Sequence, residues 1–194
     1  MPTAMLETPL SVPQDAQKRW TRNEYRRLIA EGFLQDSNYE LISGEIIKKM
    51  GQGRWHIILT MRIVKVLEAV FGYERIQSQA TLPLGNDGEP EPDVAVLAQN
   101  IDQYVEQEPT ALDTLLLIEV SNSTLSFDLT AKVRQYGSVG IPEYWVVDIP
   151  NRLLHVFREP NATGYSHETI LTPEDEVSPL SAPESAVRVA DLLP

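Results

Sequence analysis

Two acids stand where a buried strand would not ordinarily carry one. Asp93 follows Pro92 and opens the run Val94-Ala95-Val96-Leu97, while Glu119 ends the run Leu115-Leu116-Leu117-Ile118 and is followed by Val120. Short apolar runs of β-forming residues bounded by turn residues read as central strands. An ionised carboxylate there is costly unless it is paired or bound to a cation. Two such acids at the ends of neighbouring strands point to a cation site. Mg²⁺ or Mn²⁺ suits it, because a hard ion takes oxygen ligands and keeps waters, so one or two carboxylates suffice. Such an ion can acidify a bound water and clamp the oxygens of a phosphodiester.

That chemistry also needs a positive group beside the attacked phosphorus. Ser121 shares a strand face with Glu119, so a lysine at that position would be the direct choice, and it is absent. Lys132, four residues beyond Asp128, can instead reach back from the following helix, flanked by Gln135 and Tyr136. Each residue also has a plainer role. Asp93 could cap a turn, and Glu119 could pair with Lys132 or Arg134. Lys132 could pair with Asp128 at i, i+4 on a solvated helix face. A lone histidine such as His56 is more often a packed or capping residue than a reactive one.

These residues need elements to hold them. Thr21-Arg22-Asn23-Glu24 is a capping box and predicts a helix running to Ala30 or Glu31. Extended runs on either side of Ser43-Gly44 predict a tight β-hairpin carrying Glu40. A long amphipathic helix is expected from Arg54 to Phe71, largely buried, followed by a strand over 74–80. Residues 98–113 read as a polar loop with one helical turn. After the Glu119 strand, Ser121-Asn122-Ser123-Thr124 precedes a helix from about Ser126 to Gly137, on which Asp128, Lys132 and Tyr136 share a face. Strands over 143–148 and 153–158 form another hairpin, and 165–171 reads as an edge strand. The pattern is α/β (α+β), a mixed central β-sheet flanked by helices with additional β-hairpins.

The chain has 194 residues, 42% hydrophobic and 23% charged, which suits one globular domain over 20–194 behind a flexible arm at 1–19. With no cysteine, disulfides, zinc–thiolate sites and cysteine nucleophiles are excluded. No signal peptide or membrane span is legible, so a cytoplasmic protein is expected. Nucleotide chemistry of the P-loop or dinucleotide-fold kind lacks its glycine motif. Lys+Arg 16 against Asp+Glu 28 makes the net charge −12, and this opposes tight nonspecific grip on a duplex. Tyr144 and Trp145 are read as core or interface residues, and exposed apolar groups there would favour a homodimer.

The ordered blocks YELISGEI, EPDVAVL, IEVSNST, D-x-x-x-K-x-x-x-Y and GIPEYWVVD, from Tyr39 to about Arg158, resemble a bacterial group of restriction-endonuclease-like proteins. That group is part of the PD-(D/E)XK nuclease superfamily, here with its final lysine displaced to the next helix. The resemblance implies a restriction-endonuclease-like core and metal-dependent cleavage of DNA. It also implies Asp93 and Glu119 as metal ligands, Lys132 as the displaced lysine and Glu40 as an additional acid. Ser121 departs from the pattern and leaves two other readings open. One is a noncatalytic binding or assembly protein on the same fold, and the other a metal-dependent phosphohydrolase of small substrates.

Overall fold

A parallel pair of strands at the centre of one sheet sets the architecture. The computed structural model describes residues 16–34 and 39–194. Strand β5 (Thr114–Ser121) runs parallel to β6 (Glu143–Asp148), with Glu119 beside Val146. Parallel neighbours cannot be joined by a tight turn, so the chain between them must cross over. It does so through a helical segment made of α3 (Leu125–Phe127), a π-helical turn (Asp128–Lys132) and α4 (Val133–Ser138). Strands β3 (Ile76–Ser78) and β4 (Val94–Leu97) add antiparallel on one side, β7 (Leu153–Asn161) and β8 (Gly164–Leu171) on the other. The resulting six-stranded sheet has the order β3-β4-β5-β6-β7-β8.

Alternation along β5 sorts side chains onto two apolar layers. Leu116, Ile118 and Val120 face α2 (Arg54–Phe71), whose Leu59, Ile63 and Leu67 are fully buried against them. Leu117 faces the other way, with Tyr136, Tyr144 and Val146. Glu119 and Ser121, in step with Leu117, therefore lie on the crossover-helix side.

In front of the sheet lie α1 (Arg22–Ala30) and the hairpin β1 (Tyr39–Ile42) with β2 (Glu45–Lys48). The predicted capping box is formed: Thr21 Oγ1 accepts from the Glu24 amide, and the Glu24 carboxylate accepts from the Thr21 amide. Ser43 and Gly44 both take positive φ, 48° and 76°, as a two-residue type I′ turn requires.

Several expectations are corrected. Tyr144 and Trp145 are fully buried within β6, where Trp145 Nε1 donates to Glu143, so they offer no surface for a homodimer. Met61 is 68% exposed, so α2, expected to be largely buried, buries one stripe only. The strand expected over 74–80 shrinks to Ile76–Ser78, and residues 98–113 hold two 3₁₀ turns, Ile101–Tyr104 and Ala111–Asp113. The acidic C-terminal segment adds a short ladder, β9 (Glu176–Val177) with β10 (Val187–Arg188), and buries Val189, Leu192 and Leu193 in the α2-side core. The expected arm at 1–19 lies mostly outside the described residues, although Lys18 reaches Glu24 and Arg19 reaches Glu45. Among the described residues no helix is long and apolar enough to cross a membrane.

The crossover helix approaches the β7–β8 hairpin closely at one point. A Cβ on Gly137 would lie 1.9 Å from the Gly164 carbonyl oxygen, a backbone atom that cannot swing aside. Gly137→Ala should therefore destabilise the protein by about 3 kcal/mol or more. Gly51→Ala, with nothing within 4 Å of the added carbon, should stay within about 0.5 kcal/mol of the wild type. Urea midpoints of the two variants check the contrast.

Candidate active site

The antiparallel register between β4 and β5 brings the two diagnostic acids together. Val94 is paired with Ile118, so one step further along the ladder Asp93 meets Glu119. The backbone amide of Val120 donates to Asp93 Oδ2 at 2.8 Å, tying one acid to the strand of the other. Both are buried, as are Glu40, Asp128 and Lys132.

Lys132 is the hub. Its Nζ donates to Glu119 Oε1 at 2.8 Å and lies 3.6 Å from Glu40 Oε2 and 3.7 Å from Asp128 Oδ1. The expected i, i+4 contact with Asp128 thus exists, but in the interior and not on a solvated face. Burial works against the Lys132 ammonium. The surrounding carboxylates outweigh it and hold its pKa above the ordinary lysine value, so the group stays charged. Tyr136, whose pKa is pushed up by burial and by Glu119, keeps its proton and donates to Glu119 Oε1 at 2.7 Å.

The π-helical turn explains how one helical segment presents all three groups. At 3.6 residues per turn, Tyr136 would be rotated about 80° from Asp128 around the helix axis. A turn closed by i→i+5 bonds winds more slowly and cancels much of that drift. Ser121 and Thr124 donate to Asp128 Oδ2 at 2.8 and 2.7 Å, so Ser121 anchors the helix that carries the lysine. Gln135 Oε1 accepts from the Ser43 amide and hydroxyl, which fastens the β1–β2 hairpin over the site. Glu40 on that hairpin accepts from the Glu91 amide at 3.3 Å.

All four residues singled out from the sequence, Glu40, Asp93, Glu119 and Lys132, line one cleft of about 280 Å³. Two further residues join them in the cleft. Asp128 is read from the sequence as a helix-face residue, yet it belongs to the buried cluster. His56 is a member too, its Nε2 3.0 Å from Asp93 Oδ2. Its place three residues after Gly53, at the start of a long helix, was the available signal.

The donor set fits a hard divalent ion. Asp93 uses Oδ2 for the Val120 amide and Glu119 uses Oε1 for Lys132 and Tyr136. The opposite oxygen of each accepts no hydrogen bond from the described residues. Among those residues no group of three or more His, Asp or Glu side chains is gathered to hold an ion alone. Two carboxylate oxygens with retained waters is the regime of Mg²⁺. Four buried carboxylates against one ammonium also leave a negative excess that a cation would offset.

Two comparisons with known proteins bear on this arrangement. The family model Uma2, described as "Putative restriction endonuclease", matches residues 22–190. A crystal structure from Anabaena variabilis, described as a putative nuclease belonging to DUF820, superposes with a TM-score of 0.62 at 20% identity. The match covers 84% of this chain and 95% of that one, and it establishes a shared fold. Comparison with curated proteins returns no match.

Burial pushes the Glu119 carboxyl well above its ordinary value of 4.5; Lys132 opposes the shift, and the neighbouring acids Asp93, Asp128 and Glu40 add to it. A group with a raised folded pKa contributes stability below its unfolded value and loses it as pH rises through the folded one. Glutamine imitates the protonated acid at every pH. Without divalent cation, the stability of Glu119→Gln relative to the wild type should therefore rise with pH across the range in which both proteins stay folded. Denaturant midpoints across that range check it, and a margin independent of pH would contradict the assignment.

Proposed function

The chain belongs to the Uma2 family, and on that premise we propose that it is a divalent-metal-dependent nuclease that hydrolyses phosphodiester bonds of DNA. The observation that carries this reading is Lys132 Nζ at 2.8 Å from Glu119 Oε1 and 3.6 Å from Glu40 Oε2. The helix supplies the cation that position 121 lacks, and this favours an active centre over a noncatalytic remnant of the fold.

Asp93 and Glu119 are assigned as ligands of Mg²⁺ or Mn²⁺ through the oxygens they do not use internally. When bound, the ion supplies Lewis-acid polarisation and an acidified water. Lys132 provides positive charge where negative charge accumulates on the phosphoryl oxygens. Tyr136 holds the Glu119 carboxylate in place, and Glu40 adds an acid at the hairpin side of the cleft. Lys48 and Lys49 line the approach, Lys49 paired with Glu91 at 2.8 Å, and the overall charge is −12. That overall charge supports a second reading, hydrolysis of a small phosphorylated substrate that needs less basic surface.

Asp93→Ala and Glu119→Ala should each lower divalent-dependent DNA cleavage by at least about 100-fold while the protein still melts cooperatively. Gel assays on single- and double-stranded DNA with Mg²⁺ or Mn²⁺ measure this. Undiminished cleavage in both variants would refute the assignment. Turnover of model phosphate esters without cleavage of any DNA form would select the second reading.

A further inference from the structure

We propose that His56 is a positioning residue that decides which oxygen of Asp93 faces the cation, an inference that rests on the metal-dependent reading above. Asp93 ends in a torsion that is broad and roughly two-fold, so its two oxygens can exchange unless something distinguishes them. Two donors do. The Val120 amide reaches Oδ2 at 2.8 Å from the strand side, and His56 Nε2 reaches the same atom at 3.0 Å from α2. A carboxylate oxygen offers about two lone-pair sites. With both occupied, Oδ2 is saturated and Oδ1 is the oxygen left to a ligand.

The imidazole is suited to this role and to little else nearby. An ionised carboxylate only accepts, so the hydrogen of this bond sits on Nε2. The other ring nitrogen, Nδ1, is buried and finds no hydrogen-bond partner among the described residues, so among them Nε2 makes the ring's hydrogen bond. His56 lies in the first turn of α2, an element that packs on the sheet through Leu59, Ile63 and Leu67. Its position is therefore that of a rigid helix and not of a loop. Asp93 is bound in this way to α2 and to the Glu119 strand at once. Orientation of a metal-binding carboxylate by such outer hydrogen bonds commonly changes metal affinity by about 10–100-fold.

The test compares Mn²⁺ binding by calorimetry, on the full chain, for the wild type, His56→Phe, His56→Gln and His56→Asn. Glutamine can place an N–H donor near the Nε2 position. Phenylalanine has no donor, and asparagine falls one methylene short. His56→Phe and His56→Asn should bind Mn²⁺ about 10–100-fold more weakly, and His56→Gln should return to within about threefold of the wild type. A purely structural histidine would instead lower the metal-free melting temperature and leave Mn²⁺ affinity unchanged. If His56→Phe does not fold, the Gln–Asn pair decides alone. Equal affinity in that pair, or wild-type affinity in His56→Phe, overturns the inference. A wild type that binds no Mn²⁺ overturns the metal-dependent reading itself.

Discussion

One buried ammonium holds the centre of this protein together. Lys132 stands among Glu40, Glu119 and Asp128, in surroundings where an isolated carboxylate would pay a desolvation penalty of several kcal/mol. Its charge makes their burial tolerable, and their charge keeps it protonated. The elements that carry these acids, the β1–β2 hairpin, β5 and the crossover helix, converge on the lysine. The arrangement is unbalanced, however, with more carboxylate than cation. The cation proposed for Asp93 and Glu119 would offset that imbalance.

Topology explains why the lysine can come from a helix. Since β5 and β6 are parallel, a crossover must leave the end of β5 and return across the sheet face on which Glu119 lies. A residue on the inner side of that crossover is delivered to the acid by connectivity. The serine at 121 is then free to hold the helix, through Asp128, in the attitude the lysine needs. The π-helical turn makes the fine adjustment, as such turns often do at functional sites.

Much of this was legible in the order of residues. Asp93 and Glu119 stand out because one opens an apolar run and the other ends one, and the two runs are neighbouring strands. The capping box at Thr21, the Ser43-Gly44 turn and the Lys132 helix followed from local rules of spacing and turn chemistry. Exposure was harder to read. Tyr144 and Trp145 could have been surface aromatics, since a strand buried on both faces and one buried on a single face differ only in what covers them. The crossover helix packs on one face of β6 and α2 with the C-terminal segment on the other, so both residues are interior. The place of that C-terminal segment in the core is not legible locally, because its few buried residues, Val189, Leu192 and Leu193, have no long periodic run around them.

The sequence by itself singled out Glu40, Asp93, Glu119 and Lys132 as candidates and marked the elements on which they ride. These are properties of side-chain type and short-range spacing, which the chain carries whether folded or not. Only the tertiary structure decided that Lys132 is buried and not solvated, that Asp128 joins the acids, and that His56 meets Asp93 from 37 residues away. Those outcomes depend on strand register, on the hand-over from one parallel strand to the next, and on the π-helical turn. Each is set by how distant segments pack, and no local pattern of residues encodes them singly.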